Sequence, residues 1–539
     1  MLAAVSAARA DDASCAAVSA PAVTVNAFNR TQTLNDLFVV QDGKLKRYEV
    51  DGGDIHDTDW LPSNAKMGDA LHSQPAVVVY GGKPDHQDVD DAVLYITTSD
   101  GYVRAIDAKS GAEQWAWVPQ DVPAAQKHNS FDGSIRVLEY DTNGDGVVDP
   151  ADNDRVILFF GQGRAGDRYF ALDVTEKKPK LLWAIGPTTE GLENVGQTWS
   201  TPTIARVNIL NATQNSQKLV LIFGGGYDDA DARGNSLYIV DAVKGTVLWS
   251  GGRSGADRPL KRMGHAIPSD VTVLDLDGDG YADRMYVGDM AAQLWRFDIF
   301  NGKPVEDLVA GGVIASLGTH DDTTHANAAA RRFYNAPDVA AIRRKGVRPF
   351  FNVAIGSGYR PRPLSTDVQD RFYSIRDYQP FEQLTQEQYD DTSRKILQDK
   401  DLADVTPNVG DNATPLGSQP VAMNGWRVLL HAPDGTWLGE KVLASATTFD
   451  NQVLFPTFTP AGCSNRIYTL DVFSGAGQYT KLSQRSMAPQ VVFLFPDGGN
   501  PALTPHYRPT MCLSGAESLG ACRNFKPLVK TYWSESDAK

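Results

Sequence analysis

The sequence predicts an all-β fold: a β-propeller of about seven blades, with loop insertions and a C-terminal extension. Three observations carry this expectation. A unit of two or more short strands, joined by Gly/Asp turns, returns along most of the chain. No single unit can bury both faces of its strands, and radial stacking of many units removes that difficulty. Two acidic loops of cation-binding spacing sit between apolar β-type runs, not between helices. The chain is therefore divided into a tail over 1–30, a propeller over 31–483 and an extension over 484–539.

The tail carries Ala8-Arg9-Ala10, which resembles the end of a signal peptide with its cleavage site. A plain Ala-rich tail reads the same way. The repeat opens at 37–50 with Leu-Phe-Val-Val-Gln-Asp-Gly-Lys-Leu and continues at 93–118, through Asp107, Gly111 and Trp115. It returns at 156–185 with Tyr169-Phe-Ala-Leu-Asp173 and Trp183, and at 219–249 with Tyr238-Ile-Val-Asp241, Gly245 and Trp249. Three more units follow at 285–302, 351–377 and 443–475, with Asp298, Asp377 and Asp471 at the matching place. The aspartate after each strand is expected to cap its turn by accepting backbone N–H groups. Trp115, Trp183 and Trp249 are expected to pack between blades.

Inserts interrupt the period. Residues 119–130 read as a loop, and the Gly/Ala/His-rich stretch 303–333 as a mobile one. Residues 378–424 are polar, helix-like from Glu382 to Leu397 and then Asn/Gly/Pro-rich coil.

Composition narrows the function. Hydrophobic residues make up 42% of the 539, ample for a core, and the net charge of -15 argues against nucleic acid, which wants a basic face. No stretch approaches the ~20 apolar residues of a membrane helix. Four cysteines, Cys15, Cys463, Cys512 and Cys522, form no CxxC pair, which disfavours zinc. In an exported protein one disulfide could form among Cys463, Cys512 and Cys522; sequence does not choose the pairing, and buried free thiols are the other reading.

The first acidic loop is Asp275-Leu-Asp277-Gly-Asp279-Gly280-Tyr281-Ala-Asp283. Calcium takes six to eight oxygens, and an EF-hand-like loop supplies them from positions 1, 3, 5, 7 and 9. Asp275, Asp277, Asp279 and Asp283 fall at positions 1, 3, 5 and 9, with the Tyr281 carbonyl at 7 and Gly280 at the sharp turn. Without a cation these four carboxylates would repel one another. The flanking runs Val271–Leu274, Met285–Gly288 and Leu294–Ile299 read as strands. The second loop places Asp141, Asn143, Asp145, the Val147 carbonyl, Asp149 and Asp152 at positions 1, 3, 5, 7, 9 and 12, with Asp152 where a bidentate Glu usually stands. It lies between Ser134–Tyr140 and Val156–Phe160. Both loops read as Ca2+ staples in the scaffold.

Enzyme chemistry is not signalled. No Gly-x-Ser-x-Gly, His-Glu-x-x-His or Walker-type sequence occurs. His72, His265 and His325 have no metal-cluster spacing and read as turn or surface residues. Gly224-Gly-Gly-Tyr and Gly356-Ser-Gly-Tyr follow strands but open no helix, so they read as tight inter-strand turns.

The order and spacing of several of these stretches resemble the PilC/PilY family of type IV pilus biogenesis factors, in their C-terminal β-propeller domain. The resemblance covers most of 36–475. It rests on Gly43-Lys-Leu-Lys-Arg-Tyr48, Ser99-Asp-Gly-Tyr-Val-Arg-Ala-Ile-Asp107, Tyr169-Phe-Ala-Leu-Asp-Val174, Phe223-Gly-Gly-Gly-Tyr-Asp228 and Asp275–Asp283 leading to Leu294-Trp-Arg-Phe-Asp298. It implies a non-enzymatic, exported protein of the pilus tip, cell surface, periplasm or outer membrane. It also implies calcium held by Asp275, Asp277, Asp279, Tyr281 and Asp283, with minor pilins as partners in pilus extension and twitching motility. Some members bind host or abiotic surfaces. No large N-terminal adhesive region and no Arg-Gly-Asp tripeptide occur in this sequence, which weakens the adhesive expectation. Two other readings compete. Ala105–Trp115 resembles the tryptophan-docking repeat of quinoprotein dehydrogenases, but no adjacent Cys-Cys pair is present to cover a quinone. Scaffold propellers of outer-membrane assembly share the fold but usually lack calcium loops.

Overall fold

A computed structural model of the chain describes residues 91–120, 131–211, 214–318, 331–410 and 424–482, apart from single gaps at 99, 144 and 146. It also describes part of 73–81 and the backbone of short strands before and after these segments. The expected tail signal at Ala8–Ala10, residues 121–130 of the loop read over 119–130, His72 and His325 lie outside the described residues.

Short apolar runs alternating with Gly/Asp turns fold into consecutive antiparallel meanders, each a sheet in which neighbours in sequence are neighbours in space. In chain order the sheets span 22–57, 76–117, 136–185, 203–259, 272–316, 338–429 and 447–482. Beyond them, Val491–Leu494, Thr510–Leu513 and Arg523–Asn524 form a small sheet in the C-terminal extension. The protein is a β-propeller. Among the described residues no helix is long and apolar enough to cross a membrane.

Strand periodicity explains the stacking. Successive side chains of a strand point to opposite faces, so a strand buried on both sides feeds two cores. Leu158 and Phe160 pack toward the sheet of 76–117, whereas Ile157 and Phe159 pack toward that of 203–259. Val220 and Ile222 join Met285, Val287 and Trp295 of the following sheet, while Leu221 and Phe223 face back. Separate cores of this kind fill every interface from the sheet of 76–117 to that of 447–482.

The recurrent tryptophans do pack between sheets, and they also tie one sheet to the next. The indole N–H of Trp115 donates to the Lys177 carbonyl at 2.9 Å, that of Trp183 to Ala242 at 3.0 Å and that of Trp426 to Val472 at 3.1 Å. Trp249 is fully buried at its interface. The recurring glycine is the receiving half of this joint. A Cβ at Gly245 would lie 2.9 Å from the Trp183 ring, and one at Gly475 would lie 3.0 Å from that of Trp426. The aspartates cap as expected at Asp107, Asp173, Asp241 and Asp471, whose carboxylates accept backbone N–H groups one turn on.

Three expectations need correction. Val309–Ser316, inside the stretch read as a mobile insert, is the fourth strand of its sheet, because Val309, Val313 and Ala315 complete two adjoining cores. The helix read over 382–397 shrinks to Gln386–Asp390, started by a Thr385 capping box. The rest of that insert runs along sheet edges, with Leu397–Gln398 parallel to Ala315–Ser316 and Ala403–Asp404 parallel to Trp426–Arg427. The Gly224 and Gly356 segments end strands but open long connections, to Ser236 and Arg371, and are not tight turns.

Candidate metal centre

The Asp275–Asp283 loop joins the first two strands of its sheet, Thr272–Leu274 and Arg284–Gly288, whose last pair is Leu274 with Arg284. Its shape comes from its own carboxylates. Asp275 accepts from the N–H of Gly278 at 2.7 Å and of Gly280 at 2.8 Å. Asp277 accepts from Asp279 N–H, Asp279 from Tyr281 N–H, and Asp283 reaches back to Leu276 N–H at 2.7 Å. Gly278 and Gly280 take φ of +81° and +88°, which folds the chain around this ring of acceptors.

Asp275, Asp277 and Asp283 converge, each offering an oxygen within 4.8 Å of the others. Oxygens bound to one calcium at 2.3–2.6 Å can stand up to about 5 Å apart across the ion, so the set is of the right size. Asp279 is not in this convergent set. Burial, opposed by the Leu276 N–H bond and reinforced by the charges of Asp277, Asp279 and Asp275, pushes the Asp283 carboxyl above its ordinary range. A cation placed among these oxygens would reverse that repulsion.

The loop is tied into the scaffold at its C-terminal end. Ala282 N–H donates to the Arg206 carbonyl of the preceding sheet at 2.8 Å, and Ile299 N–H to the Asp283 carbonyl at 2.7 Å. The next residue, Arg284, is fully buried and opens a charged network that sequence reading missed. Its Nε donates to Asp298 at 2.7 Å; Arg296 donates to Asp298 at 3.0 Å and to Asp377 at 2.9 Å. Tyr389 Oη and Leu384 N–H complete the Asp298 shell, and Arg284 also donates to the carbonyls of Gln379, Pro380 and Glu382. Asp298 therefore does not cap its turn as its counterparts do. It holds the 379–389 insert instead. The Arg-x-Asp alternation at Arg296–Asp298, on a strand otherwise apolar, is the signal that could have marked it.

The loop at 141–152 is arranged differently. Among the described residues its carboxylates form no convergent set like that of the first loop. Asp149 caps the short 3-10 turn Pro150–Asp152 by accepting from Ala151 N–H. The Asn143 amide nitrogen donates to Asp145 at 3.2 Å and to Asp152 at 2.9 Å, bridging two carboxylates. Asp141 lies half-buried at the start of the loop, and the Val147 N–H donates to Asp145. The residue that organises the loop is Asp154, just beyond the predicted span. It is buried and accepts from the N–H of Thr142 and of Asp149, bonds that hold its carboxyl below the ordinary range.

His265 sits in a half-buried turn and contacts Asp231 at 2.7 Å. Cys463 is disulfide-bonded.

A β-propeller with an acidic, cation-type loop between the first strands of one blade is thus the class that fold and site define. Residues 127–319 match the family model described as the PilY1 beta-propeller domain. The type IV pilus biogenesis factor PilY1 of Pseudomonas aeruginosa (strain UCBPP-PA14) is 28% identical over 269 residues, covering 45% of this chain and 22% of that protein. PilY1 of P. aeruginosa strain PAO1 is 25% identical over 468 residues, covering 76% of this chain and 39% of that protein. The chain thus spans well under half the length of these curated relatives. The crystal structure of the P. aeruginosa PilY1 C-terminal domain superposes with a TM-score of 0.55 at 20% identity, covering 79% of this chain and 91% of that one. Over this segment the chain is similar to the propeller domain of PilY1 proteins, and the structural match shows that it shares their fold.

Proposed function

We propose that this protein is a non-enzymatic, calcium-binding factor of type IV pilus assembly, acting outside the cytoplasm at the pilus tip or cell surface. The observation that carries the calcium reading is the convergence of Asp275, Asp277 and Asp283 in a loop within the matched PilY1 segment. These three carboxylates would hold the ion, with Asp279 and the Tyr281 carbonyl completing its shell, and calcium would supply charge and rigidity, not chemistry. The names of the relatives support the pilus reading. Minor pilins are the partners this role requires, and twitching motility its output; contact with a host or abiotic surface would follow from a position at the tip. The loop at 141–152 is a second, weaker Ca2+ site in this reading, requiring Asn143 to turn its amide oxygen inward.

The test is a count of surface pili in a strain deleted for the gene, complemented with the wild type or with Asp279→Ala. Restoration by the wild type is expected, with altered retraction in the variant if the ion regulates. Normal piliation in the deletion strain would remove the pilus role. Calcium titration of the purified protein tests the site separately, and a melting temperature that EGTA leaves unchanged would remove its structural part.

A further inference from the structure

In an antiparallel meander of four strands, the first and third hairpin turns share one end of the sheet. The middle turn and the link to the next sheet share the other. The two acidic loops are first turns. At the opposite face, the Gly-x-Gly segments after the second strands gather around the centre of the propeller. Asp229 shows the convergence, since it accepts from Tyr227 Oη at 3.0 Å and from Tyr359 Oη at 2.7 Å, a residue two sheets away. Trp199 stacks on Tyr227 with ring centroids 4.7 Å apart, and Tyr334 lies 6.2 Å from Tyr227 and 6.3 Å from Tyr359.

Guanidinium groups cluster on these rings. Arg164 and Arg360 lie 5.1 and 5.9 Å from the Trp199 ring, and Arg362 lies 5.8 Å from that of Tyr359. Among the described residues these three guanidinium groups are held by ring faces and make no hydrogen bond or ion pair. Asp229 is engaged by the two tyrosines, while the charges of Asp132 and Asp270 act on Arg360. Burial and the Arg164 charge pull Arg360 below the ordinary arginine range against those two acids. The Tyr334 hydroxyl is buried with no partner, and the residue is 4% exposed. A cleft of about 440 Å³ opens here, lined by Tyr227 with Asp167, Asp228, Asp229 and Arg233.

A guanidinium stacked on a ring keeps its N–H edge free and oriented, the arrangement that grips a carboxylate with two parallel hydrogen bonds. We propose that this face binds a carboxylate-bearing ligand, its carboxylate on Arg164 and Arg360 and its apolar body against half-buried Trp199 and the edge of Tyr227 that lines the cleft. The carboxylate could belong to a free organic acid or to the C-terminus of a polypeptide. The site is independent of the calcium reading.

Titration calorimetry on the full chain at low salt tests it with isophthalate, with N-acetyl-Gly-Gly-Phe and with the amide of that peptide. Binding of the free-acid peptide but not its amide identifies a chain terminus; binding of isophthalate alone identifies a free acid. In either case Arg164→Gln combined with Arg360→Gln weakens binding by at least about tenfold, with the melting temperature kept. No heat from either acid at millimolar concentration overturns the proposal. So do an amide that binds as well as the acid, inorganic phosphate that competes as strongly as isophthalate, and unchanged affinity in the double variant. Should the double variant fail to fold, exposed Arg164→Gln alone decides, and wild-type affinity there overturns the site.

Discussion

At the scale of single residues, the Asp275–Asp283 loop separates what shapes a site from what fills it. Its backbone is held by N–H groups donating to Asp275, Asp277, Asp279 and Asp283. Oxygens of three of these, Asp275, Asp277 and Asp283, converge. Asp277 is exposed and supports one N–H, so Asp277→Asn is expected to change metal-free stability by no more than about 0.5 kcal/mol. Calcium affinity should fall by about tenfold or more, because a charged oxygen ligand is lost; isothermal titration checks this, and an unchanged affinity would exclude Asp277 as a ligand. Gly280 is a different case. A Cβ there meets nothing within 4 Å, so only its φ of +88° opposes substitution. Gly280→Ala should cost about 1–2 kcal/mol from backbone strain, visible in chemical denaturation even with EGTA present.

At the scale of elements, the joints between sheets and the pinned insert carry the stability. Trp183 fills the interface between two sheets and donates to the Ala242 carbonyl. Trp183→Ala is expected to cost about 3–5 kcal/mol, read from urea unfolding; a smaller loss would mean that Gly245 and its turn collapse into the space. The buried network around Asp298 is less forgiving. Asp298→Ala leaves Arg284 and Arg296 buried beside a single remaining carboxylate, Asp377. Removing one partner of a buried pair costs about 3–5 kcal/mol. Because Asp298 also accepts from Leu384 N–H and Tyr389 Oη, the variant should become sensitive to proteolysis within 379–398. Intact protein after limited digestion would show that the insert is held elsewhere.

At the scale of the whole molecule, buried carboxylates set the pH response. Burial pushes Asp289, Asp338 and Asp370 each up to about 6. A folded-state pKa above the unfolded one means that the native state binds the extra protons. The stability these groups contribute is fully present below the ordinary aspartate range and is lost as pH rises through about 6. The lowered carboxyls of Asp154, Asp173, Asp377 and Asp401 act oppositely, and their contribution is lost as pH falls through values below the ordinary range. Metal-free protein should therefore resist urea better at pH 5 than at pH 7.5. Asp370→Asn should flatten that difference, and greater resistance at pH 7.5 would contradict the assignment.

Local rules determined a large part of this protein in the sequence itself. Continuous apolar runs such as Val220–Phe223 declare strands buried on both faces, and stacking of neighbouring sheets covers them. The Asp275–Asp283 spacing declares its turn because its ligand-type oxygens and its glycines are all within one loop. What tertiary structure decided lies where partners are distant in sequence. Val309–Ser316 reads as an insert until two neighbouring cores claim its alternate side chains. Asp298 reads as another turn cap until Arg284 and the 379–389 insert arrive beside it. The central cluster of Trp199, Tyr227, Tyr334 and Tyr359 exists only because successive sheets deliver their turns to one face. Local pattern fixes how a strand or a loop bends, but which charges and rings meet depends on how the sheets pack around one centre.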